Sequence, residues 1–196
     1  MDLTDYYGAT VPDLLPEPLK LLFVGINPSL MSAATGSHFA RKGNRFWPAL
    51  HRAGITKWRI DASEGFRPED EAHLHERGVG ITNIVPVATA RADELTQQQI
   101  EEGLARLREL VDERRPAVVA IVGITAWRQG TGQKKARVGW QESPWEDVGV
   151  FLAPNPSGLN AHYQVPDLAR AYGEAALQAG VITALPPDEG LAEDRG

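Results

Sequence analysis

Four short segments of the chain are apolar at nearly every position, and this pattern restricts the possible fold more than any other sequence feature. The segments span residues 20–26, 79–85, 117–123 and 148–153. Runs of this length and composition are typical of β-strands that are buried on both faces, as in a parallel sheet covered by helices. We therefore predict four strands in the interior of an α/β protein.

The segments between these runs carry the periodicity of amphipathic helices. The clearest helix starts after Thr96, which stands three residues before Gln99 in capping-box spacing, and ends before Pro116. Its apolar face consists of Ile100, Leu104, Leu107 and Val111. Residues 44–53 and 166–178 are two further helix candidates. Strands alternating with helices predict an α/β fold, a three-layer α/β/α sandwich around a central, mainly parallel sheet of four to five strands.

The composition of the 196-residue chain fits a single domain. We expect its core to span residues 19–183, with flexible tails at 1–18 and 184–196 that are rich in Pro, Asp, Glu and Gly. Because the chain has no cysteine, disulfides, thiolate nucleophiles and cysteine-ligated metal sites are excluded. No apolar run reaches the roughly 18 residues of a membrane helix, and the start lacks a signal-peptide pattern. We therefore expect a cytoplasmic protein with no membrane partner.

Two Asn-Pro-Ser motifs, at 27–29 and 155–157, each follow a predicted strand. Ligands of open parallel sheets bind at the carboxyl ends of the strands, where these motifs would meet the loop after the second strand. A side-chain amide both donates and accepts hydrogen bonds, and the adjacent proline stiffens its turn. The sequence therefore predicts a binding site at this edge. The alternative is that each Asn-Pro merely starts a turn.

Two segments that contain these motifs resemble a known family. "GINPSLMSAATGSHFARKGNRFW" (25–47) and "PNPSGLN" (154–160) are similar to the signature segments of the mismatch-specific uracil-DNA glycosylases, bacterial relatives of the thymine-DNA glycosylases. The resemblance continues through "GITNIV" and "VVAIVGITAW" and covers roughly residues 20–180. It implies an α/β enzyme that flips a damaged pyrimidine out of double-stranded DNA and hydrolyses its N-glycosidic bond, without cofactor or metal. Uracil opposite guanine is the implied substrate, with thymine and etheno-cytosine as further candidates.

The resemblance also implies roles for single residues. Asn27 matches the amide that positions the attacking water, and Phe39 matches the ring that stacks on the flipped base. The remaining matches are Ile26 and Ser32 as pocket neighbours, Asn155 as a contact to the extruded nucleotide, and Gly158 with Leu159 as the wedge that fills the gap in the base stack. Where the family commonly has an arginine after the leucine, this chain has Asn160, Ala161 and His162. Either His162 takes the place of that arginine or it is an exposed loop residue.

A neutral amide orients water but cannot deprotonate it, so a nearby carboxylate would assist catalysis. Asp93 follows the second predicted strand and is not needed as the cap of the next helix, since Thr96 serves there. We therefore predict Asp93 as a second catalytic residue. Glu94 is the neighbouring alternative, and Asp93 as a solvated loop acid is the other reading.

The formal net charge of −6 does not favour general attraction to nucleic acid, but local basic clusters do. Arg41, Lys42 and Arg45 stand next to Phe39 and are predicted to contact the DNA backbone; Lys134, Lys135 and Arg137 form a second cluster. We expect a monomer. Two rival functions stay open: a non-catalytic binder of DNA lesions, and an α/β protein for a small nucleotide. The second lacks the glycine spacing of a Rossmann or P-loop motif.

Overall fold

A five-stranded sheet forms the centre of the computed structural model, which describes residues 2–160 and 162–187. The strands are β1 (Leu21–Gly25), β2 (Val79–Asn83), β3 (Val118–Val122), β4 (Gly139–Gln141) and β5 (Gly149–Ala153). Their order is β2-β1-β3-β5-β4; all neighbours are parallel except β4, which is antiparallel to β5. The predicted α/β class and the four predicted strands are confirmed. β4 was not predicted individually, because three partly exposed residues give no buried apolar run.

Within the described residues, six α-helices lie between the strands or after the last of them. They are α1 (Leu30–Thr35), α2 (Phe46–Arg52), α3 (Pro68–Arg77), α4 (Gln97–Arg114), α5 (Ile124–Thr131) and α6 (Val165–Gln178). The three predicted helices correspond to α2, α4 and α6. At the start of α4, Thr96 Oγ1 accepts from the Gln99 backbone N at 3.2 Å, while Gln99 Oε1 accepts from the Thr96 backbone N at 2.9 Å. This confirms the capping box.

The helices cover both faces of the sheet, because successive residues of a strand point in opposite directions. On one face, Phe23 of β1 packs edge-on against Phe46 of α2 and Tyr172 of α6, with ring centroids 5.1 and 5.6 Å apart. On the other face, Leu22 and Val24 of the same strand belong to a separate apolar cluster with residues of α4 and α5. The molecule therefore has the three layers that the alternating pattern predicts.

The amino-terminal segment packs against the sheet, where a loose tail over 1–18 was expected. Leu14 and Ile81 of β2 exchange two backbone hydrogen bonds of 2.9 and 2.8 Å, and Thr10 bridges to Val87. The Asp13 carboxylate accepts from Thr82 Oγ1 at 2.6 Å. Since β2 is the edge strand, this segment satisfies backbone groups that the sheet would otherwise leave unpaired. The pairing partner is distant in sequence, so composition could not indicate it.

Most of the other expected tail, 184–196, cannot be compared with the structure, because residues 188–196 lie outside the described range. Within the part of the chain that is described, no helix combines the length and the apolar character needed to cross a bilayer.

Candidate active site

A cavity of ≈160 Å³ opens at the carboxyl ends of β1, β2 and β5, where the sequence predicted a binding site. Its walls come from the loops after these three strands, from residues 38–44, and from the last residues of β2 and β3, Asn83 and Val122. Six of the predicted site residues contribute to it: Asn27, Ile26, Ser32, Phe39, Asn155 and Arg41. This volume is below the ~300–1,000 Å³ of pockets for drug-sized ligands, so it suits one small ring rather than a whole nucleotide cofactor.

The orientation of the Asn27 amide is fixed by two loops. Its Nδ2 donates to the Val87 carbonyl at 3.0 Å and to Thr89 Oγ1 at 2.8 Å. The Thr89 hydroxyl donates its only hydrogen to the Arg91 carbonyl at 2.8 Å, so its oxygen acts as the acceptor for Asn27 Nδ2. Both amide hydrogens are therefore committed to the protein. The carbonyl oxygen Oδ1 remains as an acceptor for a molecule in the pocket.

Phe39 is held in an unusual position at the pocket wall. Its φ of 53° lies in the left-handed region, which a bulky residue rarely adopts. Its ring stacks on Phe46 with centroids 3.9 Å apart and an interplanar angle of 21°. The surrounding contacts therefore impose the backbone strain. The ring lines the pocket, and its stack on Phe46 could not be predicted from local sequence.

Asn83, the last residue of β2, also lines the pocket and is only 6% exposed. A Cβ on Gly25 of the neighbouring strand would lie 2.5 Å from Asn83 Oδ1 and 3.4 Å from the Phe39 ring. Glycine at position 25 therefore lets this amide and this ring approach the same point. Asn83 was not predicted as a site residue, although a lone amide at the end of the buried apolar run "GITNIV" is a signal in the sequence.

Ser32 and His38 shape the floor of the pocket. Ser32 Oγ is 3.0 Å from Ser29 Oγ and accepts from the Ala40 backbone N at 3.3 Å, so it anchors the segment that carries Phe39. His38 is buried, and its Nε2 lies 3.0 Å from the Pro12 carbonyl. Burial lowers the pKa of His38 below its usual value, which favours the neutral ring donating from Nε2. His38 had not been predicted.

The second Asn-Pro-Ser motif both forms a turn and lines the pocket. Asn155 Oδ1 accepts from the Ser157 backbone N at 2.8 Å, and the Asn155 carbonyl accepts from Asn160 Nδ2 at 3.0 Å. The turn brings Leu159 to the surface, where it is 83% exposed. His162 is exposed and donates from its backbone N to Asn160 Oδ1 at 3.1 Å, while Ala161 lies outside the described residues.

Arg45 clamps this turn, although the sequence suggested that it contacts the DNA backbone. Its Nη1 donates to the carbonyls of Asn160 and Tyr163 at 2.7 and 2.8 Å, and its Nη2 donates to the Gly158 carbonyl at 3.3 Å. A Cβ on Gly158 would lie 2.8 Å from the Gly43 carbonyl. The loops 41–45 and 156–160 are therefore in direct contact. Arg41 and Lys42, by contrast, have exposed side chains.

Asp93 does not line the pocket in this structure. It lies in a 3-10 turn, Ala92–Glu94, whose first residue does. The Asp93 side chain is 70% exposed, and its Oδ1 is 2.9 Å from Arg91 Nε. Glu94 accepts from the Arg91 backbone N at 2.9 Å and from the Tyr7 hydroxyl at 3.1 Å. A catalytic role for Asp93 therefore stays a prediction.

Comparison with known proteins identifies the family. The model of the uracil DNA glycosylase superfamily matches residues 12–178. The chain belongs to the uracil DNA glycosylase superfamily. A solution NMR structure of a candidate uracil DNA glycosylase from Methanosarcina acetivorans is similar to it, with a TM-score of 0.55 and 16% identity over 89% of this chain and 98% of that one. At this identity the structural likeness shows the fold alone.

Membership of the uracil DNA glycosylase superfamily supports a glycosylase function, hence a hydrolase of DNA repair, in agreement with the resemblance of the two motif segments. The matched range contains every residue that lines the pocket. The second basic cluster, Lys134, Lys135 and Arg137, does not line it. Among the described residues, no group of His, Asp or Glu side chains is arranged to hold a metal ion.

Proposed function

We propose that this superfamily member removes uracil from G·U mismatches in double-stranded DNA. It extrudes the uracil nucleotide from the duplex and hydrolyses the N-glycosidic bond, leaving an abasic site; thymine and etheno-cytosine are further candidate substrates. The observation that carries the proposal is the fixed Asn27 amide, whose Oδ1 is the available acceptor in a small pocket that Phe39 and Asn83 also line.

Hydrolysis breaks the bond between the base nitrogen and C1′ of the sugar. The electron pair leaves with the base, the water oxygen bonds to C1′, and the water loses one proton. Asn27 Oδ1 accepts a hydrogen bond from the water and so holds its oxygen toward C1′. Because a neutral amide cannot take up the proton, Asn27 acts by position and needs a partner or the solvent for the proton transfer.

We assign this partner role to Asp93. Its carboxylate would take the proton from the water and stabilise the positive charge that develops on the sugar. Its ion pair with Arg91 holds it outside the pocket, whereas Arg91 itself lines the pocket. A phosphate of the incoming DNA competes for the Arg91 guanidinium and thereby releases the Asp93 carboxylate.

Recognition of the base rests on Asn83 and Phe39. Uracil presents an N–H donor beside a carbonyl acceptor, and the Asn83 amide offers the complementary acceptor and donor. Stacking of a base on an aromatic ring contributes about 1–3 kcal/mol, so Phe39 offsets part of the few kcal/mol that extrusion costs. Mismatched bases are extruded at the lowest cost, which favours G·U over normal pairs.

The loop at 156–160 supplies the wedge. Leu159 is exposed at its tip and can enter the gap that the extruded nucleotide leaves, while Gly158 and Arg45 hold the loop in position. Among the described residues, no lysine lines the pocket, so a Schiff base with the sugar has no nucleophile there. This supports a monofunctional glycosylase.

One observation favours a second candidate, a lesion binder without catalytic activity. Asp93 is ion-paired outside the pocket, so the pocket walls carry four asparagine amides for recognition but no carboxylate. Such a protein would extrude uracil and retain it without breaking the bond.

A single-turnover assay separates these functions. The protein is incubated with a labelled U·G duplex, with a C·G duplex as control, and the products are treated with alkali, which breaks DNA at abasic sites. We expect cleavage at uracil only, slowed at least ~10²-fold by Asp93→Asn, since a positioned acid–base group contributes about 10²–10⁴-fold. A stable complex without cleavage would indicate the lesion binder. If neither cleavage nor a stable complex is observed, the small-nucleotide protein is favoured. Native rates for Asp93→Asn would remove Asp93 from the mechanism.

A further inference from the structure

A second cavity, of ≈390 Å³, adjoins the base pocket. The two share Phe39, Arg41 and Asn44 as walls. The second cavity continues between the loop at 39–44 and residues 59–63, which lead into the 3-10 helix Ala62–Glu64. A nucleotide strand with one base in the pocket therefore has its neighbouring groups within reach of this cavity.

The cavity is lined by three cations and one anion. The cations are Arg41, Lys42 and Arg59, and the anion is Asp61. Within the described range, the side chains of these three cations form no hydrogen bond or ion pair closer than 4.0 Å, whereas Arg45 is occupied by carbonyls. Unpaired cations around a concave surface create a site for an anion.

Asp61 already has local partners. Its Oδ1 accepts from the Ser63 backbone N at 3.0 Å, as the cap of the 3-10 helix. Hydrogen bonds from Ser63 lower the pKa of the Asp61 carboxyl, and the charges of Arg59 and Lys42 lower it further. Asp61 therefore stays ionised and offsets one of the three positive charges. The excess of positive charge is sufficient for one phosphate group.

We propose that this cavity binds a phosphodiester group of the DNA strand that carries the extruded nucleotide, with Arg59 and Lys42 as its ligands. The inference rests on the proposed function, because it takes the base pocket as the position of the extruded base. It adds Arg59, which no sequence pattern indicated, and it makes Asp61 a residue that limits affinity. A phosphate at this point fixes the strand beside the pocket and so sets the register of the base.

The first test measures salt dependence. Kd is measured at 50–200 mM KCl for a duplex in which the uracil lies opposite guanine. A 2′-fluoro group on the uracil nucleotide makes its N-glycosidic bond resistant to hydrolysis. Loss of one phosphate contact lowers the slope of log K against log salt by about 0.9, so the Kd ratio between 200 and 50 mM shrinks about 3.5-fold for Arg59→Ala. The matched control is Arg108→Ala on α4, which lines neither cavity. Asp61→Asn, which retains a capping side chain, should bind more tightly than the native protein.

The second test locates the phosphate. Neutral methylphosphonates replace single phosphates on each side of the uracil. At one position in the uracil strand, the methylphosphonate should weaken DNA binding by the native protein more than binding by Arg59→Ala, because this variant has already lost one of the two cationic ligands of that phosphate. The proposal is overturned if Arg59→Ala has the salt slope of Arg108→Ala, or if every methylphosphonate affects both proteins equally.

Uracil excision by the native protein is measured on the same duplex sequence with ordinary deoxyuridine. A native protein that neither excises nor prefers the uracil duplex would refute the proposed function itself. If the native protein excises uracil and Arg59→Ala matches the control, only the phosphate site is refuted.

Discussion

Replacing Arg45 by methionine distinguishes two roles for this residue, a contact to DNA and a clamp of the wedge loop. Methionine keeps much of the aliphatic stem but removes every donor. The guanidinium donates to three carbonyls, those of Gly158, Asn160 and Tyr163, and the two shortest bonds are 2.7 and 2.8 Å long. The substitution therefore releases the loop that carries Leu159 from the loop at 41–45.

The size of the effect follows from these bonds. A hydrogen bond to a charged donor contributes about 1.5–3 kcal/mol when buried. The third bond is long, and the loop lies at the surface, where water can replace the lost donor. We therefore expect the free energy of unfolding to fall by about 1–3 kcal/mol. For a chain of this length that corresponds to roughly 2–12 °C in Tm.

The clamp also predicts a pattern of activity. A released loop must be ordered again before Leu159 can enter the stack, so excision from a U·G duplex should slow more than excision from single-stranded uracil DNA. The salt slope of duplex binding should not change, because the Arg45 donors face protein carbonyls. The matched variant Arg41→Met, whose side chain is exposed, should behave in the opposite way, with a lower salt slope and a native Tm.

Thermal unfolding, binding at several salt concentrations and single-turnover excision on the two substrates provide the necessary measurements. The reasoning would be refuted by an Arg45→Met protein with native Tm and a salt slope reduced by about one. That result would indicate that Arg45 contacts the DNA backbone, as the sequence first suggested.

Three further predictions concern single residues. Asn27→Ala should retain the native Tm within a few degrees and the duplex affinity, yet slow single-turnover uracil excision at least ~10²-fold, because positioned water is lost; native rates would exclude its role. Leu159→Ala should lose more activity on U·G duplex than on single-stranded uracil DNA, where no stack needs refilling, and equal losses would count against a wedge. The lowered pKa of buried His38 means that the unfolded chain binds this proton at a higher pH than the folded one. The contribution of neutral His38 to the free energy of unfolding is therefore fully present above pH ~6.5 and is lost as the pH falls. His38→Gln keeps a donor for the Pro12 carbonyl but cannot be protonated. In urea unfolding measured at several pH values, this variant should reduce the acid-side slope of the unfolding free energy against pH by up to ~1.4 kcal/mol per pH unit. An unchanged slope would contradict this prediction.

The elements of the fold were largely predictable, because their signals are local. Four buried strands are visible as continuous apolar runs, and the capping box at Thr96 needs only residues within one turn. Helix α3 was not predicted, because only Asp70, His73 and Leu74 of its ten residues are buried, so its sequence has little apolar periodicity. The pairing of Leu14 with Ile81 was equally invisible, since nothing near Leu14 specifies a partner 67 residues away.

The position of the site was also determined by the sequence: an amide that ends a buried strand, as Asn27 does, must lie at the carboxyl edge of a parallel sheet. Which atom of that amide faces the pocket was decided by the tertiary structure, through Thr89 in a different loop. Packing decided the other assignments in the same way. Arg45 and Arg59 are both arginines without a distinguishing sequence signal. In the folded chain, Arg45 donates to three carbonyls, whereas Arg59 lines an open cavity. The reason is physical: propensity and periodicity act over a few residues, whereas a long charged side chain takes whichever partners the folded chain brings within about 3 Å.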